Sequence, residues 1–194
     1  MEYLTRVKEY DWVYLVVSPQ NPHKGAEKLL TAKERYDAAV AAVRRHPELH
    51  VWVDDIEMLM DPPYYTIRTL DALKRREPDN DFTLVIGADN LEGIHRWRDF
   101  PRILSEYGVA VYPRRGFDIR SIREKLYEEC LQLPQANYVL DASQQHTMDG
   151  TMSLEDDWMN LYNIQIIDAP LSDISSTEIR EAQARGEDMS AWLM

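Results

Sequence analysis

Short apolar runs alternate with longer amphipathic segments along this chain, and the two kinds of segment differ in their period. Five short runs rich in β-branched and aromatic residues have the length of strands: 12–17, 49–53, 82–86, 109–112 and 164–167. Three longer segments have helical spacing and end near proline or charged residues: 31–45, 66–76 and 174–185. Since strands that alternate with helices form parallel sheets covered on both faces, the pattern predicts an α/β fold.

The carboxyl ends of the predicted strands are the expected position of a ligand. In open α/β sheets, ligands bind in the loops that follow the strands. The loops in that position are residues 18–25, 87–98, 113–118 and 171–177. The side chains with candidate chemistry are therefore expected in these four loops.

Composition places the chain among ordinary globular proteins. Its 194 residues are enough for one domain with a full core, and 44% of them are hydrophobic. No apolar run approaches the length of a membrane span, and Met1–Arg6 holds no apolar stretch like that of a signal peptide. Cys130 is the single cysteine, which excludes an internal disulfide and is consistent with a cytoplasmic location.

The charge of the chain argues against a general nucleic-acid binder. A formal net charge of -12 produces a field that repels polyphosphate backbones. A small anionic ligand remains compatible with this charge, because a helix N-terminus and one or two basic side chains are enough to hold it.

The last of the four loops opens a predicted helix with hydroxyl side chains. Ser175 and Glu178 have the spacing of a capping box, and by itself that spacing more often marks a well-capped helix than a ligand site. Ser175, Ser176 and Thr177 nevertheless surround the positive end of the helix, where phosphates bind. Arg180, about one turn later, would add a charge-assisted donor. The segment is therefore a candidate phosphate site.

The loop after the third strand combines a glycine and a carboxylate. Gly87 permits close approach of the backbone to a ligand, and Asp89 could accept hydrogen bonds from sugar hydroxyls. A turn followed by an aspartate N-cap is the more common explanation of a lone Gly-x-Asp. Trp97, further along, could stack on a flat heterocycle if it is exposed, although a tryptophan in the core is more common.

Other polar residues give weaker signals. Lys24 is either a point charge for a phosphate or a solvated loop lysine, and Thr66 at a predicted helix start is either a ligand contact or an N-cap. The five histidines show no metal-ligand spacing, and Cys130 lies in no nucleophile motif. The residues therefore predict neither a protein metal site nor a catalytic nucleophile.

Six segments, taken together in their order and separation, resemble the bacterial nicotinate-nucleotide adenylyltransferases. They are Pro22-His23-Lys24, Tyr65-Thr66-Ile67-x-Thr69-Leu70, Ile86-Gly87-Ala88-Asp89, Trp97-Arg98, Val111-Tyr112-Pro113-Arg114 and Ile174-Ser175-Ser176-Thr177-x-Ile179-Arg180. The last segment matches the family's C-terminal ATP signature, I-S-S-T-x-I-R. The match covers about residues 10–118 and 164–186, and Tyr64 stands where the family usually has serine.

The resemblance implies a fold and a domain organisation. The fold is a Rossmann-like nucleotidylyltransferase (HUP-type) parallel sheet with helices on both faces. A single domain would span residues 1–194, with a longer, divergent loop at about 119–163.

The reaction implied by the resemblance is adenylyl transfer. The phosphate of nicotinate mononucleotide would attack the α-phosphorus of ATP, with Mg²⁺ assisting, to give deamido-NAD and pyrophosphate. No covalent intermediate is expected, so catalysis would consist of positioning and charge neutralisation and would require no catalytic side chain.

The same resemblance assigns site residues by matching position. For ATP they are Gly87, Asp89, Ser175, Ser176, Thr177 and Arg180, the last four chiefly at the phosphates. For nicotinate mononucleotide they are Thr66 and Trp97, which would bind and stack the ring, with Lys24 and Arg114 as lesser charge donors.

The N-terminus departs from the family. Nicotinate-nucleotide adenylyltransferases open with a strand and the motif G-x-F-x-P-x-H-x-G-H, whose histidines grip the ATP phosphates. Here no glycine precedes Gly25, no histidine precedes His23, and Met1–Tyr10 resembles the end of the helix that follows that motif. The resemblance therefore predicts a sheet without its usual first strand, which would lie between strands 12–17 and 82–86. A late start site, a shortened sequence and a decayed gene all remain open.

Two alternative functions stay open. The first is a nucleotidylyltransferase with another acceptor, such as phosphopantetheine, against which Thr66 and Trp97 argue. The second is an inactive remnant that binds nucleotide without turnover, which the missing motif supports.

Overall fold

The computed structural model describes residues 1–6, 10–19, 31–131, 163–169, 182, 185 and 186. The chain divides into two compact units. The first comprises Met1–Tyr64 with Ile174–Met194, and the second comprises Tyr65–Asp173.

The first unit holds a pair of parallel strands. Its described elements are α1 (Glu2–Arg6), β1 (Val13–Val16), α2 (Ala32–Arg44), β2 (Val51–Asp54) and a 3₁₀ turn (Ile56–Leu59). β1 and β2 pair in parallel with Val13 opposite Val51. Helix α2 begins with a complete capping box, because the Thr31 hydroxyl accepts from the Glu34 N–H and the Glu34 carboxylate accepts from the Thr31 N–H.

Strand β1 is less buried than its apolar sequence predicts. All four of its residues are half-buried, and the adjoining Trp12 is 54% exposed and stacks on His50 with ring centroids 5.2 Å apart. In β2, Val51 and Val53 are buried whereas Trp52 between them is 57% exposed. Among the residues that the structure describes, β1 and β2 form a two-stranded sheet, in which each strand has a hydrogen-bonded neighbour on one side. The apolar run 12–17 is therefore confirmed as the position of a strand, although its continuous apolar sequence would suggest deeper burial than β1 has.

The second unit contains a three-stranded parallel sheet. Its described elements are α3 (Thr66–Arg76), β3 (Leu84–Gly87), α4 (Ala88–Leu91), a 3₁₀ turn (Ile94–Arg96), α5 (Phe100–Arg102), a π-helical turn (Ile103–Tyr107), β4 (Val109–Tyr112), α6 (Ile119–Leu131) and β5 (Ile164–Ile166). The strand order is β3-β4-β5. β4 is the central strand, and Val109, Ala110 and Val111 are fully buried. The hydrophobic core of this unit forms around them.

The predicted elements agree closely with those observed. All five strands are confirmed, and the predicted helix 66–76 coincides with α3 (Thr66–Arg76). The predicted helix 31–45 is confirmed as α2. The segment 119–163 was predicted to be a longer, divergent loop; this is wrong for its first part, which forms helix α6 (Ile119–Leu131). The predicted helix 174–185 lies almost entirely outside the described residues.

Hydrogen bonding divides the strands into two groups. Within the described part of the chain, β1 pairs only with β2, and β3 pairs only with β4. No helix described here has the length and apolarity needed to cross a bilayer.

Candidate active site

The carboxyl ends of β3 and β4 lie side by side. The two strands pair in parallel with Gly87 opposite Tyr112, so the loops that follow them leave the same edge of the sheet. Gly87 is the N-cap of α4 and Asp89 lies in the first turn of that helix. Asp89 is therefore not the N-cap, which removes the structural role that best competed with ligand binding.

Asp89 forms an ion pair with an arginine from the neighbouring loop. The Nε atom of Arg114, two residues beyond β4, lies 3.1 Å from Oδ1 of Asp89. The Asp89 side chain is 36% exposed and that of Arg114 is 57% exposed, so the pair lies at the surface of the sheet edge. Two residues 25 positions apart in sequence thus meet because their strands are neighbours.

Residue 87 is a glycine because a side chain there would meet this pair; its backbone angles do not call for glycine. Its φ of -78° and ψ of 158° are ordinary extended values that any residue adopts. A Cβ at this position would overlap Oδ1 of Asp89 and would lie 2.9 Å from Nε of Arg114. The absent side chain therefore leaves the space in which the carboxylate and the guanidinium meet.

Thr66 and Trp97 border one hydrophobic cluster in the same unit. Thr66 is the first residue of α3, and Tyr65 is the N-cap, so Thr66 does not have the capping role that the sequence allowed. Trp97 ends the 3₁₀ turn after α4, is half-buried, and packs against the cluster that includes Ile67. Thr66 therefore directly precedes a member of the cluster against which Trp97 packs.

Five of the predicted site residues cannot be located. Lys24 and the helix-opening residues Ser175, Ser176, Thr177 and Arg180 lie outside the described residues. Their roles at the ATP phosphates and at the acceptor stay predictions.

A polar network in the same unit was not predicted by the sequence analysis. Arg102 donates hydrogen bonds to the carboxylates of Asp71 (3.0 Å) and Glu106 (2.7 Å), and the Tyr107 hydroxyl donates to Asp71 at 2.7 Å. The network joins α3, which begins at Thr66, to the segment that leads into β4. No sequence signal marks the pairing, because Asp71 and Arg102 are 31 residues apart and meet only in the folded chain.

These contacts shift the protonation equilibria of the network. Burial favours the neutral form of Asp71, but hydrogen bonds from Arg102 and Tyr107 outweigh that effect and hold the pKa of Asp71 below its usual range. Burial and the hydrogen bond to Asp71 raise the pKa of Tyr107 to about 12. Asp71 therefore stays ionised and Tyr107 stays protonated at neutral pH, as the hydrogen bond between them requires.

The residues that the structure describes are compatible with a metal ion that binds as a complex with a nucleotide. They contain no group of three or more His, Cys, Asp or Glu side chains placed to hold an ion, and Asp89 is already paired with Arg114. Mg²⁺ keeps most of its waters and commonly binds through one or two carboxylates and the substrate's phosphates. This donor set is suited to a divalent ion held chiefly by a triphosphate.

The fold and this edge define the class of protein. Parallel strands covered by helices, with polar side chains at the carboxyl ends of adjacent strands, are the arrangement of a Rossmann-like fold. The cytidylyltransferase-like family matches residues 2–182 of the chain.

Relatives and solved structures agree with this class. A probable nicotinate-nucleotide adenylyltransferase of Bacteroides fragilis is 32% identical over 191 residues, which cover 98% of this chain and 76% of the relative. One from Porphyromonas gingivalis is 31% identical, with 98% and 78% covered. The chain therefore belongs to the cytidylyltransferase-like family and, within it, to the nicotinate-nucleotide adenylyltransferases, which are nucleotidyltransferases.

Two solved structures share the fold. Nicotinic acid mononucleotide adenylyltransferase of Plasmodium falciparum complexed with NaAD superposes with a TM-score of 0.64 at 16% identity, covering 98% of this chain and 78% of that chain. The same protein complexed with APC gives a TM-score of 0.60 at 15% identity, covering 98% of this chain and 77% of that chain. At these identities the likeness shows the fold alone.

Proposed function

We propose that this protein transfers the adenylyl group of ATP to nicotinate mononucleotide, producing deamido-NAD and pyrophosphate in NAD biosynthesis. The observation that carries the proposal is the 32% identity, over 98% of the chain, to a relative named for this activity. The paired Asp89 and Arg114 beside Gly87 support a nucleotide at the carboxyl edge of the second unit's sheet.

This reaction requires the two substrates to be aligned and does not require a nucleophilic side chain. A phosphate oxygen of nicotinate mononucleotide attacks the α-phosphorus of ATP in line. A new oxygen–phosphorus bond forms there while the bond from the α-phosphorus to the bridging oxygen breaks, and pyrophosphate leaves with that electron pair. Both reactants are anions, so the protein accelerates the step by holding them together and by offsetting their charge.

On the ATP side, we assign the adenosine to the surface formed by Gly87 and Asp89. Gly87 leaves room for the Asp89 carboxylate beside the backbone, and the exposed part of that carboxylate can accept from ribose hydroxyls. We assign the phosphates to the start of the C-terminal helix, at Ser175, Ser176, Thr177 and Arg180.

On the acceptor side, we assign the nicotinate ring to Trp97 and Thr66. Trp97 is half-buried and packs on the core. This packing would hold the indole rigid while the exposed part of the ring remains accessible for stacking. Lys24 is proposed as a charge donor to the acceptor phosphate.

We propose Mg²⁺ as the divalent ion that accompanies ATP. When bound, it would offset charge on the triphosphate and the departing pyrophosphate. We further propose that the protein works in the cytoplasm on these two small molecules, without nucleic acid or membrane partners. The net charge of -12 supports the absence of nucleic acid.

Product analysis tests the proposal. The chain, and a version extended by a strand and the motif G-x-F-x-P-x-H-x-G-H, are incubated with ATP, Mg²⁺ and either nicotinate mononucleotide or phosphopantetheine. We expect deamido-NAD and equimolar pyrophosphate from the first acceptor, at least in the extended version. Adenylylation of phosphopantetheine alone would contradict the acceptor, and nucleotide binding without product from either version would contradict the reaction.

A further inference from the structure

We infer that Arg114 is a positioning residue for the ATP half of the site, acting through Asp89, and is not a ligand of the acceptor. The sequence resemblance had placed Arg114 with nicotinate mononucleotide on the basis of position alone. The inference rests on the proposed function, because it assumes that ATP occupies the edge formed by Gly87 and Asp89.

The contact between the two side chains is the first argument. The Nε atom of Arg114 lies 3.1 Å from Oδ1 of Asp89, so the two charged groups are in direct contact. Nε is the guanidinium nitrogen nearest the main chain, so this contact constrains where the guanidinium lies. In return, it holds one carboxylate oxygen and thereby sets the orientation of the other, which is free to meet a ligand hydroxyl.

The missing side chain at Gly87 is the second argument. A Cβ there would collide with the same two atoms that form the ion pair, Oδ1 of Asp89 and Nε of Arg114. Since the backbone angles of Gly87 are ordinary, the glycine serves the pair and not the turn. Gly87, Asp89 and Arg114 are therefore one arrangement, and two of its three members already belong to the proposed ATP surface.

Charge is the third argument. An unpaired carboxylate beside a triphosphate would repel it, in a chain whose net charge is already -12. Arg114 offsets the charge of Asp89 locally without removing the oxygens that accept from a ribose. This neutralisation matters for ATP because the proposed ATP surface includes Asp89 itself.

A double-mutant cycle measured by equilibrium binding tests the inference. Dissociation constants for ATP and for nicotinate mononucleotide are measured for the wild type, Arg114→Ala, Asp89→Asn and the double variant. Arg115→Ala removes the same charge one residue further along and serves as the matched control. Circular dichroism confirms folding, which an exposed arginine is not expected to disturb.

We expect Arg114→Ala to weaken ATP binding about 3- to 10-fold, to leave nicotinate mononucleotide binding unchanged, and to have no further effect on ATP once Asp89 is asparagine. Arg114→Lys should restore part of the loss, because it returns the charge without the Nε geometry. Arg115→Ala should change neither constant.

The outcomes separate the two claims. A wild type that binds both nucleotides, together with an Arg114→Ala variant that weakens only nicotinate mononucleotide, would overturn the inference and leave the proposed function standing. An equal loss of ATP binding with and without the Asp89 carboxylate would do the same. A wild type that binds neither nucleotide would overturn the proposed function, and the inference with it.

Discussion

The hydroxyl of Tyr107 donates a 2.7 Å hydrogen bond to Oδ1 of Asp71, which also accepts from Arg102. Tyr107 is buried at the end of the turn that precedes β4, whereas Asp71 lies on α3. The bond thus links the helix that starts with Thr66 to the strand whose end leads to Arg114. The pKa of Asp71 is lowered by these donors and that of Tyr107 is raised to about 12, so both groups keep the protonation state that the bond needs.

Replacing Asp71 with asparagine should therefore lower stability in a pH-dependent way. Because the pKa of Asp71 is lower in the folded state, its contribution is present above the ordinary value of 3.8 and is lost as the pH falls through the folded value. Urea unfolding should show a deficit of about 1 kcal/mol at neutral pH, given a partly exposed pair and one hydrogen bond from a buried tyrosine. The deficit should close in acid.

Asp79→Asn, which changes an exposed aspartate beyond the end of α3, is the control and should leave stability unchanged at both pH values. A deficit for Asp71→Asn that does not narrow in acid would show that the carboxylate's charge is not what stabilises the contact.

Replacing Gly87 with alanine should damage the site more than the fold. The added Cβ displaces the side chains of Asp89 and Arg114, which are at the surface and can move, while the backbone angles accept alanine. We expect a stability loss under about 1 kcal/mol and an ATP affinity reduced about 3- to 10-fold, measured by thermal unfolding and equilibrium binding.

Gly108→Ala provides the opposite case. Gly108 has φ +74°, and a Cβ there would lie 3.0 Å from the carbonyl oxygen of Asn163. The Gly108→Ala substitution should destabilise the chain by about 1–3 kcal/mol through backbone strain. It should have no selective effect on ATP binding by the folded fraction. A Gly87→Ala variant that unfolds like Gly108→Ala would contradict the assignment of Gly87 to the site.

Replacing Trp97 with alanine should selectively weaken binding of the acceptor, nicotinate mononucleotide. Loss of a stacking ring should reduce nicotinate mononucleotide affinity about 2- to 10-fold, the equivalent of roughly 0.5–1.5 kcal/mol, while ATP affinity barely changes. Because Trp97 also packs on the core, the variant should lose stability, so binding must be measured well below its unfolding temperature. Trp52→Ala, at a tryptophan that is 57% exposed, is the control. An equal loss of affinity for both nucleotides would contradict the assignment of Trp97 to the acceptor site.

Expressed from Met1 to Met194, the chain should turn over slowly. The segment before β1 holds no glycine and no histidine, so under the proposed assignment the triphosphate would be held chiefly by Ser175, Ser176, Thr177 and Arg180. Losing one preorganised donor typically costs about 10²–10³-fold in rate, and a missing loop with two histidines should cost at least that. Pyrophosphate release is compared with that of the version extended by the strand and motif. Similar rates in the two would show that the motif is dispensable here.

The elements of this protein could be predicted from local sequence. Strand β4 is central and buried on both faces, so its residues form a continuous apolar run that is visible without any structure. Helix α3 has a strong amphipathic period bounded by turn residues, and its limits were predicted to the residue. The burial of β1 was predicted less well, because an apolar run does not reveal how many neighbours its strand has.

Which residues belong to the candidate site could be predicted from the sequence, but which of them contact one another could not. The sequence by itself determined that Gly87 and Asp89 follow one strand and Arg114 another, since each position depends only on where an apolar run ends. Only the tertiary structure decided that Arg114 pairs with Asp89 against the bare backbone of Gly87, and that Tyr107 reaches Asp71 from 36 residues away. The physical reason is that strand order and register, which bring such residues together, arise from packing between distant segments and leave no local pattern in the chain.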